Sequence, residues 1–378
     1  MRGPENSGHC AVLQASVADF VRRGSGLARA RRLRDAPQEY ERDVWSRMAQ
    51  MGWLGVLVGE ACGGSGLGLT EAAIVAKELA RALAPEPFTA VAVLAASVLA
   101  ASDNETLKRA LLSQLVSGAL IPVLAWQERA GVTDATAIET RAVPAGGGFL
   151  LEGGKRFVAG AAGADGYIVS AKTARGIAMF WVARDTPGVG LELETLADGR
   201  HFGVVTLSGV AVAGENRLAE GDAARDALEK AFDHAAVIAG AELCGVMDRA
   251  LEMSLDYMKT RVQFGKPIGS FQALQHRAVD LYIQRELAAA VLEEALRALD
   301  RDPAAASRAA WASRVKARCS DAGLKITREA IQIHGAIGFT DEYDVGLYLK
   351  RAVVLAAWLG NAAWHRRRYA QFAAGGRP

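Results

Sequence analysis

The pattern of apolar and polar positions divides the chain into three segments. From about Val12 to Leu120, apolar residues recur at helical spacing among Ala, Leu, Arg and Glu, as in LTEAAIVAKELARAL. From about Ile121 to Gly221, short runs rich in Val, Ile, Phe and Thr are separated by Gly, Asp and Pro, which predicts a compact antiparallel β domain. Helical periodicity returns from about Asp222. The predicted domains are residues 1–120, 121–221 and 222–378.

The last segment contains four long helical stretches joined by short turns. Short turns between long helices favour antiparallel neighbours, which predicts a four-helix bundle. The expected fold class is therefore mainly α with a central β domain. The four stretches are Ala224 to Thr260, Phe271 to Leu299, Pro303 to Gly335 and Asp341 to Ala373.

Composition narrows the function. Lys and Arg number 44 against 42 Asp and Glu, a net charge of +2, so we expect no nucleic-acid partner, and any anionic ligand must be bound locally. The longest apolar run, about Phe88 to Ala101, is shorter than the ~20 residues of a membrane span, and the first residues do not resemble a cleavable signal. Four scattered cysteines and six histidines without ligand spacing predict no disulfide and no metal site. A cytoplasmic location is expected.

Two glycine patterns bear on nucleotide binding. The loop CGGSGLG, which begins at Cys62, lacks the Lys-Ser/Thr pair of a P-loop and follows no strand pattern, so a connection between two helices is the better interpretation. No GxGxxG opens a βαβ unit in the β segment, so a Rossmann fold is not supported.

The stretch YMKTRVQFGKPIGSFQ, Tyr257 to Gln272, ends one helical pattern and begins the next. It places Arg261 at a helix end beside a turn, and a guanidinium next to exposed backbone N–H groups is suited to a phosphate or diphosphate. The alternative is a solvated charge that the helix dipole favours.

The wording of this stretch resembles a known family. RVQFGKPIGSFQALQH and QIHGAIGFTDEY, which ends at Tyr343, resemble the two flavin-binding signatures of the acyl-CoA dehydrogenase family. MGWLGVLVGEACGGSGLG, Met51 to Gly68, resembles its N-terminal region, with Gly59 where Pro is usual. GFTDEYDVGLYLKRA and WHRRR resemble the actinobacterial branch that acts on bulky or steroid-derived acyl-CoAs.

The resemblance implies an FAD-dependent enzyme that desaturates an acyl-CoA thioester at its α and β carbons. A carboxylate takes the α proton and the flavin accepts the hydride. It also implies a homo- or heterotetramer with a related subunit and an electron-transfer partner.

By resemblance, seven residues bind FAD across a subunit interface. Arg261 supplies charge, and Gly335 and Gly338 let the backbone approach phosphate without a Cβ. Ala336 replaces the family's second Gly. The seven are Arg261, Gln263, Phe264, Gln272, Gln332, Gly335 and Gly338.

In the β segment, WQERAGVTDA and GGKRFVAG resemble the family's two flavin-facing loops. Gln127 and Ala159 replace hydroxyl residues, and Phe157 replaces a stacking Trp but can still cover a ring face. Thr133 matches a Ser that faces the CoA ligand. Glu128 and Asp134 belong to the same loop, where capping a turn is the common role.

The catalytic base is where this chain departs from the family. Leu359 occupies the usual Glu position, and Ala235 the position that one subgroup uses. The remaining candidates are Asp233, His234 and Glu242, and Glu242 falls on the same helix face as Ala235. The alternative is that this chain supplies no base.

Three interpretations therefore remain. The first is an acyl-CoA dehydrogenase that shares its active sites between unlike subunits. The second is a structural partner that stabilises an active relative without catalysis. The third keeps the flavin for oxidase or monooxygenase chemistry, which needs no base for an α proton.

Overall fold

The computed structural model describes residues 4–24, 26–34, 36, 40–302 and 305–374. Their backbone contacts form two compact units. The helical unit comprises the described residues of Met1–Arg32, Ala73–Ala84 and Ala236–Pro378, and the sheet unit comprises those of Leu33–Ala72 and Pro85–Ala235. The three domains predicted from the sequence divide the chain differently and stay a prediction.

The N-terminal third is helical, as predicted. The CGGSGLG loop joins a short 3₁₀ helix, Glu60–Cys62, to the next α-helix, which confirms its interpretation as a connection. A π-helix, Thr89–Ala95, leads directly into α5. Asn104 caps α6 by accepting a hydrogen bond from the Leu107 N–H at 3.1 Å. The helices are α1 Pro4–Gly24, α2 Gly26–Arg34, α3 Arg42–Gln50, α4 Leu69–Arg81, α5 Ala96–Ala100 and α6 Glu105–Val116.

The middle segment forms one sheet of eight strands. The strands are β1 Pro122–Ala125, β2 Arg141–Ala145, β3 Gly148–Ala159, β4 Gly166–Thr173, β5 Gly176–Ala183, β6 Val189–Thr195, β7 His201–Ala213 and β8 Arg217–Glu220. The order is β6-β7-β3-β2-β4-β5-β8, and β1 pairs with β4. Most pairings are antiparallel, as predicted, but β1 runs parallel to β4, and β2 meets β4 in one parallel pair. All four β1 residues are buried, as an apolar strand inside a core requires.

Strand β3 is irregular where it pairs with β7. Its register shifts between Leu151 and Gly153 and again between Lys155 and Val158. Within the second shift, Phe157 has a φ of 56°. Bulges of this kind bend a strand and redirect side chains.

The C-terminal segment begins with three long helices at nearly the predicted positions. They are α7 Asp222–Thr260, α8 Gln272–Arg301 and α9 Ala305–His334, with a hairpin of β9 Val262–Gln263 and β10 Lys266–Pro267 between α7 and α8. Helix α9 packs against α8 and against two later helices, α11 Val345–Ala357 and α12 Ala362–Ala374. The predicted start of the third stretch, Pro303, lies outside the described residues.

The fourth predicted stretch is not one helix. A short helix, α10 Ala336–Phe339, precedes α11, and the chain breaks between α11 and α12. At the break Leu359 and Gly360 have φ angles of 58° and 96°, and Asn361 caps α12 by accepting from the Trp364 N–H at 2.9 Å. Left-handed backbone ends a helix even where apolar spacing continues.

Within the described part of the chain, the helices are all too short or too polar to cross a bilayer.

Candidate active site

The hairpin after α7 presents an aromatic side chain to water. Phe264 and Gly265 form its two-residue turn with φ angles of 52° and 77°, the conformation that such a turn needs. A bulky residue with positive φ is uncommon, and Phe264 is also 91% exposed. Its ring meets Phe271 edge-on at 6.1 Å between centroids.

The positive charge predicted at the helix end, that of Arg261, is accessible to a ligand. The backbone of Arg261 is used, since its N–H donates to Tyr257 O at 2.8 Å and its carbonyl accepts from the Ile268 N–H at 2.8 Å. Its guanidinium is exposed and has no partner within the described residues. Gln263 and Gln272 are also exposed, with Gln272 at the first position of α8.

The second block ends α9. Gln332 is exposed in its last turn, and Gly335 follows with φ 66° and ψ −139°, a conformation that favours glycine. A Cβ at Gly335 would meet open space, so the backbone there can be approached closely. At Gly338 a Cβ would lie 2.8 Å from Ile331 O, so this glycine is required by the turn itself. The expectation that both glycines serve phosphate stays a prediction.

His334, beside Gly335, was missed by the sequence analysis. It lies between two tyrosines, with ring centroids 4.5 Å from Tyr257 and 4.7 Å from Tyr343. Burial lowers the pKa of His334, which favours the neutral ring. Its Nδ1–H then donates to Ala330 O at 2.7 Å, and the buried Nε2 has no hydrogen-bond partner in the described part of the chain.

In the sheet unit, the four predicted loop residues lie in the connection between β1 and β2. We call residues 126–140 the clamp loop. The Gln127 amide donates to Val132 O at 3.0 Å and to Arg129 O at 3.3 Å, so it is used within the loop. Thr133 is half-buried. Asp134 accepts from the N–H and hydroxyl of Thr136, at 2.9 and 2.7 Å, which confirms its turn-capping role.

Glu128 also caps backbone N–H groups of the loop, and it has a charged partner in addition. Its carboxylate accepts from the Glu139 and Thr140 N–H groups at 2.6 and 3.0 Å and from Lys155 Nζ at 2.7 Å. Burial alone would raise the pKa of Glu128, but the Lys155 charge and the hydrogen bonds lower it below its usual value. Burial lowers the pKa of Lys155 to about 8 against the attraction of Glu128. Lys155 was not singled out from the sequence.

The other two predicted flavin-facing residues end β3. Phe157 occupies the bulge, with the Arg156 guanidinium 5.1 Å from its ring centroid. Ala159 is half-buried, pairs with Phe202 on β7 and offers no side-chain donor.

Both family positions for the base are apolar and buried, since Ala235 is 0% and Leu359 2% exposed. Glu242 forms an ion pair with Arg351 at 2.7 Å, as a structural carboxylate does. Asp233 is fully buried, and the half-buried His234 has Nδ1 3.1 Å from Ser97 Oγ. Asp233 and His234 belong to the sheet unit, and Glu242 belongs to the helical unit.

A second buried lysine, Lys316, donates hydrogen bonds to the backbone at the break between α11 and α12. Lys316 is 0% exposed and donates to Gly360 O at 2.8 Å and to Ala356 O at 3.2 Å, while His365 Nε2–H donates to Leu359 O at 2.8 Å. Burial lowers the pKa of Lys316 to about 7. Burial first, and the Lys316 charge second, lower the pKa of His365 to about 3.

Comparisons with known proteins agree with this arrangement. The acyl-CoA dehydrogenase N-terminal, middle and C-terminal domain models match residues 9–119, 124–205 and 225–374. The chain is 30% identical over 342 residues to the acyl-CoA dehydrogenase IpdE2 of Mycobacterium tuberculosis, covering 90% of each protein.

Two solved structures have similar folds. A Tcur3481-Tcur3483 steroid acyl-CoA dehydrogenase variant matches with a TM-score of 0.88 at 30% identity, covering 98% of this chain and 99% of that one. The ChsE4-ChsE5 complex from Mycobacterium tuberculosis matches with a TM-score of 0.88 at 28% identity, covering 98% of each.

The fold and the matches define a flavoprotein-type oxidoreductase that acts on acyl-CoA. The chain belongs to the acyl-CoA dehydrogenase family, which confirms the resemblance and the fold class predicted from the sequence.

Proposed function

We propose that this chain is one subunit of an FAD-dependent acyl-CoA dehydrogenase, in which a related second chain supplies the carboxylate base. One observation supports this most directly. The helical unit keeps the exposed Arg261 and the open backbone at Gly335, while Leu359 and Ala235 leave both base positions without a proton acceptor. A chain that was active by itself would need a carboxylate at one of these two positions.

The donor chemistry of the helical unit fits FAD. Arg261 would bind the diphosphate by charge-assisted hydrogen bonds, and the backbone at Gly335 would approach it without steric hindrance. The buried, unpartnered Nε2 of His334, in the described part of the chain, is an acceptor that a donor on the cofactor would satisfy. Phe264, Gln263, Gln272 and Gln332 would contact the adenosine. When bound, FAD supplies the hydride acceptor.

The sheet unit contains the residues assigned to the substrate and to the flavin ring. Thr133 would contact the CoA part, and Phe157 would cover one face of the flavin ring from the β3 bulge. Ala159 would leave that side without a side-chain donor. The acyl-CoA α proton would pass to a base on the related subunit, because neither Leu359 nor Ala235 can accept it.

The relatives support a proposal on substrate class and assembly. The similar structures carry the paired names Tcur3481-Tcur3483, called a steroid acyl-CoA dehydrogenase, and ChsE4-ChsE5, called a complex. We therefore propose a heterotetramer with a related chain, a bulky or steroid-derived acyl-CoA as substrate, and an electron-transfer protein as the physiological oxidant of the reduced cofactor.

The decisive experiment purifies the chain alone and together with a related chain of the same family that carries the missing Glu. The flavin band is measured in each sample, and dye reduction is followed with a panel of acyl-CoAs. We expect activity only in the two-chain complex. If the chain alone oxidises an acyl-CoA at the full rate, the shared-site proposal is wrong.

A pair of arginine variants tests the cofactor site. Arg261→Met should lower the affinity of the complex for FAD about tenfold or more, because a hydrogen bond to a charged group is lost. Arg297→Met is the matched control on α8, where Arg297 is 62% exposed and pairs with Glu293 and Glu294 of the same helix. Equal flavin content in both variants would contradict the assignment of Arg261.

A structural partner subunit is the second candidate. The Glu242–Arg351 ion pair favours this candidate. Glu242 lies on the same helix face as Ala235, and its carboxylate is already paired with Arg351. A two-chain complex that holds flavin only in the site of its relative, even with FAD added, would support this candidate. If this chain has its own base, His234 is the best candidate, since its ring is half-buried and hydrogen-bonded to a neutral hydroxyl. His234→Gln would then abolish turnover.

A further inference from the structure

We propose that the buried Lys155–Glu128 ion pair is a positioning device that closes the clamp loop and thereby sets the affinity of the enzyme for acyl-CoA. The inference rests on the proposed function for the ligand, but its geometric basis lies wholly within the sheet unit.

Lys155 joins three separate pieces of the unit. Its ammonium group is 0% exposed and donates to Glu128 Oε1 at 2.7 Å, to Ser170 Oγ on β4 at 3.0 Å and to Trp126 O at 3.5 Å. An ammonium group has three donors, so each has a partner. The side chain therefore fixes the start of the clamp loop against the middle of the sheet.

Glu128 closes the loop on itself. The carboxylate that receives Lys155 also accepts from the Glu139 and Thr140 N–H groups, eleven and twelve residues further along the chain. The Arg156 N–H adds a backbone bond to Gln127 O at 2.7 Å. The Glu128 carboxylate thus holds both ends of the clamp loop. Without it, ordering the loop would cost conformational entropy.

The residues assigned to the ligand lie in the clamp loop and beside Lys155 on β3. Gln127 and Thr133 belong to the closed loop, and Phe157 follows Lys155 by two residues on the bulged strand. Movement of the ion pair would therefore shift the surface that faces the ligand from both sides. Positioning of this kind is needed because binding and catalysis depend on displacements of about 1 Å.

Stability alone does not account for a buried ion pair. Replacing such a pair by apolar residues of similar volume is often neutral or stabilising, whereas removing one partner leaves a buried charge uncompensated. This difference separates a positioning role from a structural one. The double variant Glu128→Leu/Lys155→Met keeps the volume and removes the tie between the ends of the loop.

The test uses the assembled two-chain protein and three measurements: thermal unfolding, hydrogen exchange in residues 127–140, and the KM and kcat of acyl-CoA oxidation. For the double variant we expect a smaller loss of thermal stability than for Lys155→Met alone, exchange in the loop at least about tenfold faster, and a KM at least about tenfold higher with a smaller change in kcat, tenfold being the equivalent of about 1.4 kcal/mol. Arg217→Met is the control, because it breaks the partly exposed Arg217–Glu220 ion pair of the same sheet and should leave exchange in the loop and KM unchanged.

Normal exchange in the loop together with a normal KM in the double variant would overturn the proposal. Because hydrogen exchange needs no substrate, it distinguishes the two inferences. If the unmodified complex oxidises no acyl-CoA, the proposed function fails, and faster exchange confined to the loop of the double variant still supports Lys155 and Glu128 as the device that positions it.

Discussion

The two buried lysines meet the same loss of hydration with different partners. Lys155, in the sheet unit, faces the carboxylate of Glu128, and its pKa falls to about 8. Lys316, in the helical unit, donates to two backbone carbonyls and to the Ser320 hydroxyl, and its pKa falls to about 7. Burial is the main cause in both, so the partner decides how well the positive charge is retained.

The partners also decide what happens when the proton leaves. A neutral Lys316 amine still has two N–H donors for Gly360 O and Ala356 O, and its lone pair can accept from the Ser320 hydroxyl at 3.4 Å. A neutral Lys155 would leave Glu128 as a charge without a counter-charge. The lysine in the helical unit can therefore lose its proton without leaving a charge unpaired, whereas the lysine in the sheet unit cannot.

The largest effect is expected from breaking the ion pair on one side. Lys155→Met should lower the free energy of unfolding of the sheet unit by about 3–5 kcal/mol, because Glu128 is left buried and unpaired. Urea unfolding followed by circular dichroism in the β region measures it. A loss of less than about 1 kcal/mol would contradict the comparison.

A smaller loss is expected in the helical unit. Lys316→Met should lower the free energy of unfolding by about 1–3 kcal/mol. In this variant two carbonyl groups lose their hydrogen-bond donor, but no charge is left unpaired. The control is Lys325→Met on the exposed face of α9, for which we expect a change within about 0.5 kcal/mol. A loss at Lys316 as large as that at Lys155 would show that the kind of partner does not matter.

The pH dependence sharpens the same contrast. Between pH about 7 and the ordinary lysine pKa of 10.5, the unfolded chain keeps a proton on Lys316 that the folded chain has released. Stability from this group therefore rises with pH across that window. The stability of the unmodified protein relative to Lys316→Met should increase from pH 7 to pH 9, as measured by unfolding at each pH. No change over that range would show that the buried amine is still charged.

The smallest effect concerns the turn that Lys316 holds. Gly360→Ala should destabilise by about 1 kcal/mol, because Gly360 has a φ of 96° and alanine disfavours that conformation. Gly346→Ala on α11 is the control with the opposite sign, since a Cβ there meets only Gly338 O at 3.7 Å and alanine favours a helix. Differential scanning calorimetry of the two variants shows whether each substitution raises or lowers the stability.

Sequence patterns predicted the order of helices, sheet and helices because periodicity reports directly which face of an element is buried. They did not predict the direction of β1, since a four-residue apolar run such as Pro122–Ala125 does not show whether its neighbour is parallel or antiparallel. The break at Leu359 was missed because apolar spacing continues through it and leucine rarely adopts left-handed backbone. At the candidate site, the blocks around Arg261 and Gly335 could be found from their wording. Lys155 and Lys316 could not, because a lysine in a sequence indicates a surface position unless its partners are known.

The left-handed backbone at Leu359 has an evolutionary consequence. The shape of this corner depends on Gly360, on the Asn361 cap and on bonds from Lys316 and His365 to carbonyl oxygens, and none of these contacts uses the side chain of residue 359. After a gene duplication, one copy could therefore exchange an acidic side chain for leucine without rebuilding its main chain. Loss of a base at this position then needs only one codon to change, while the corner itself remains intact.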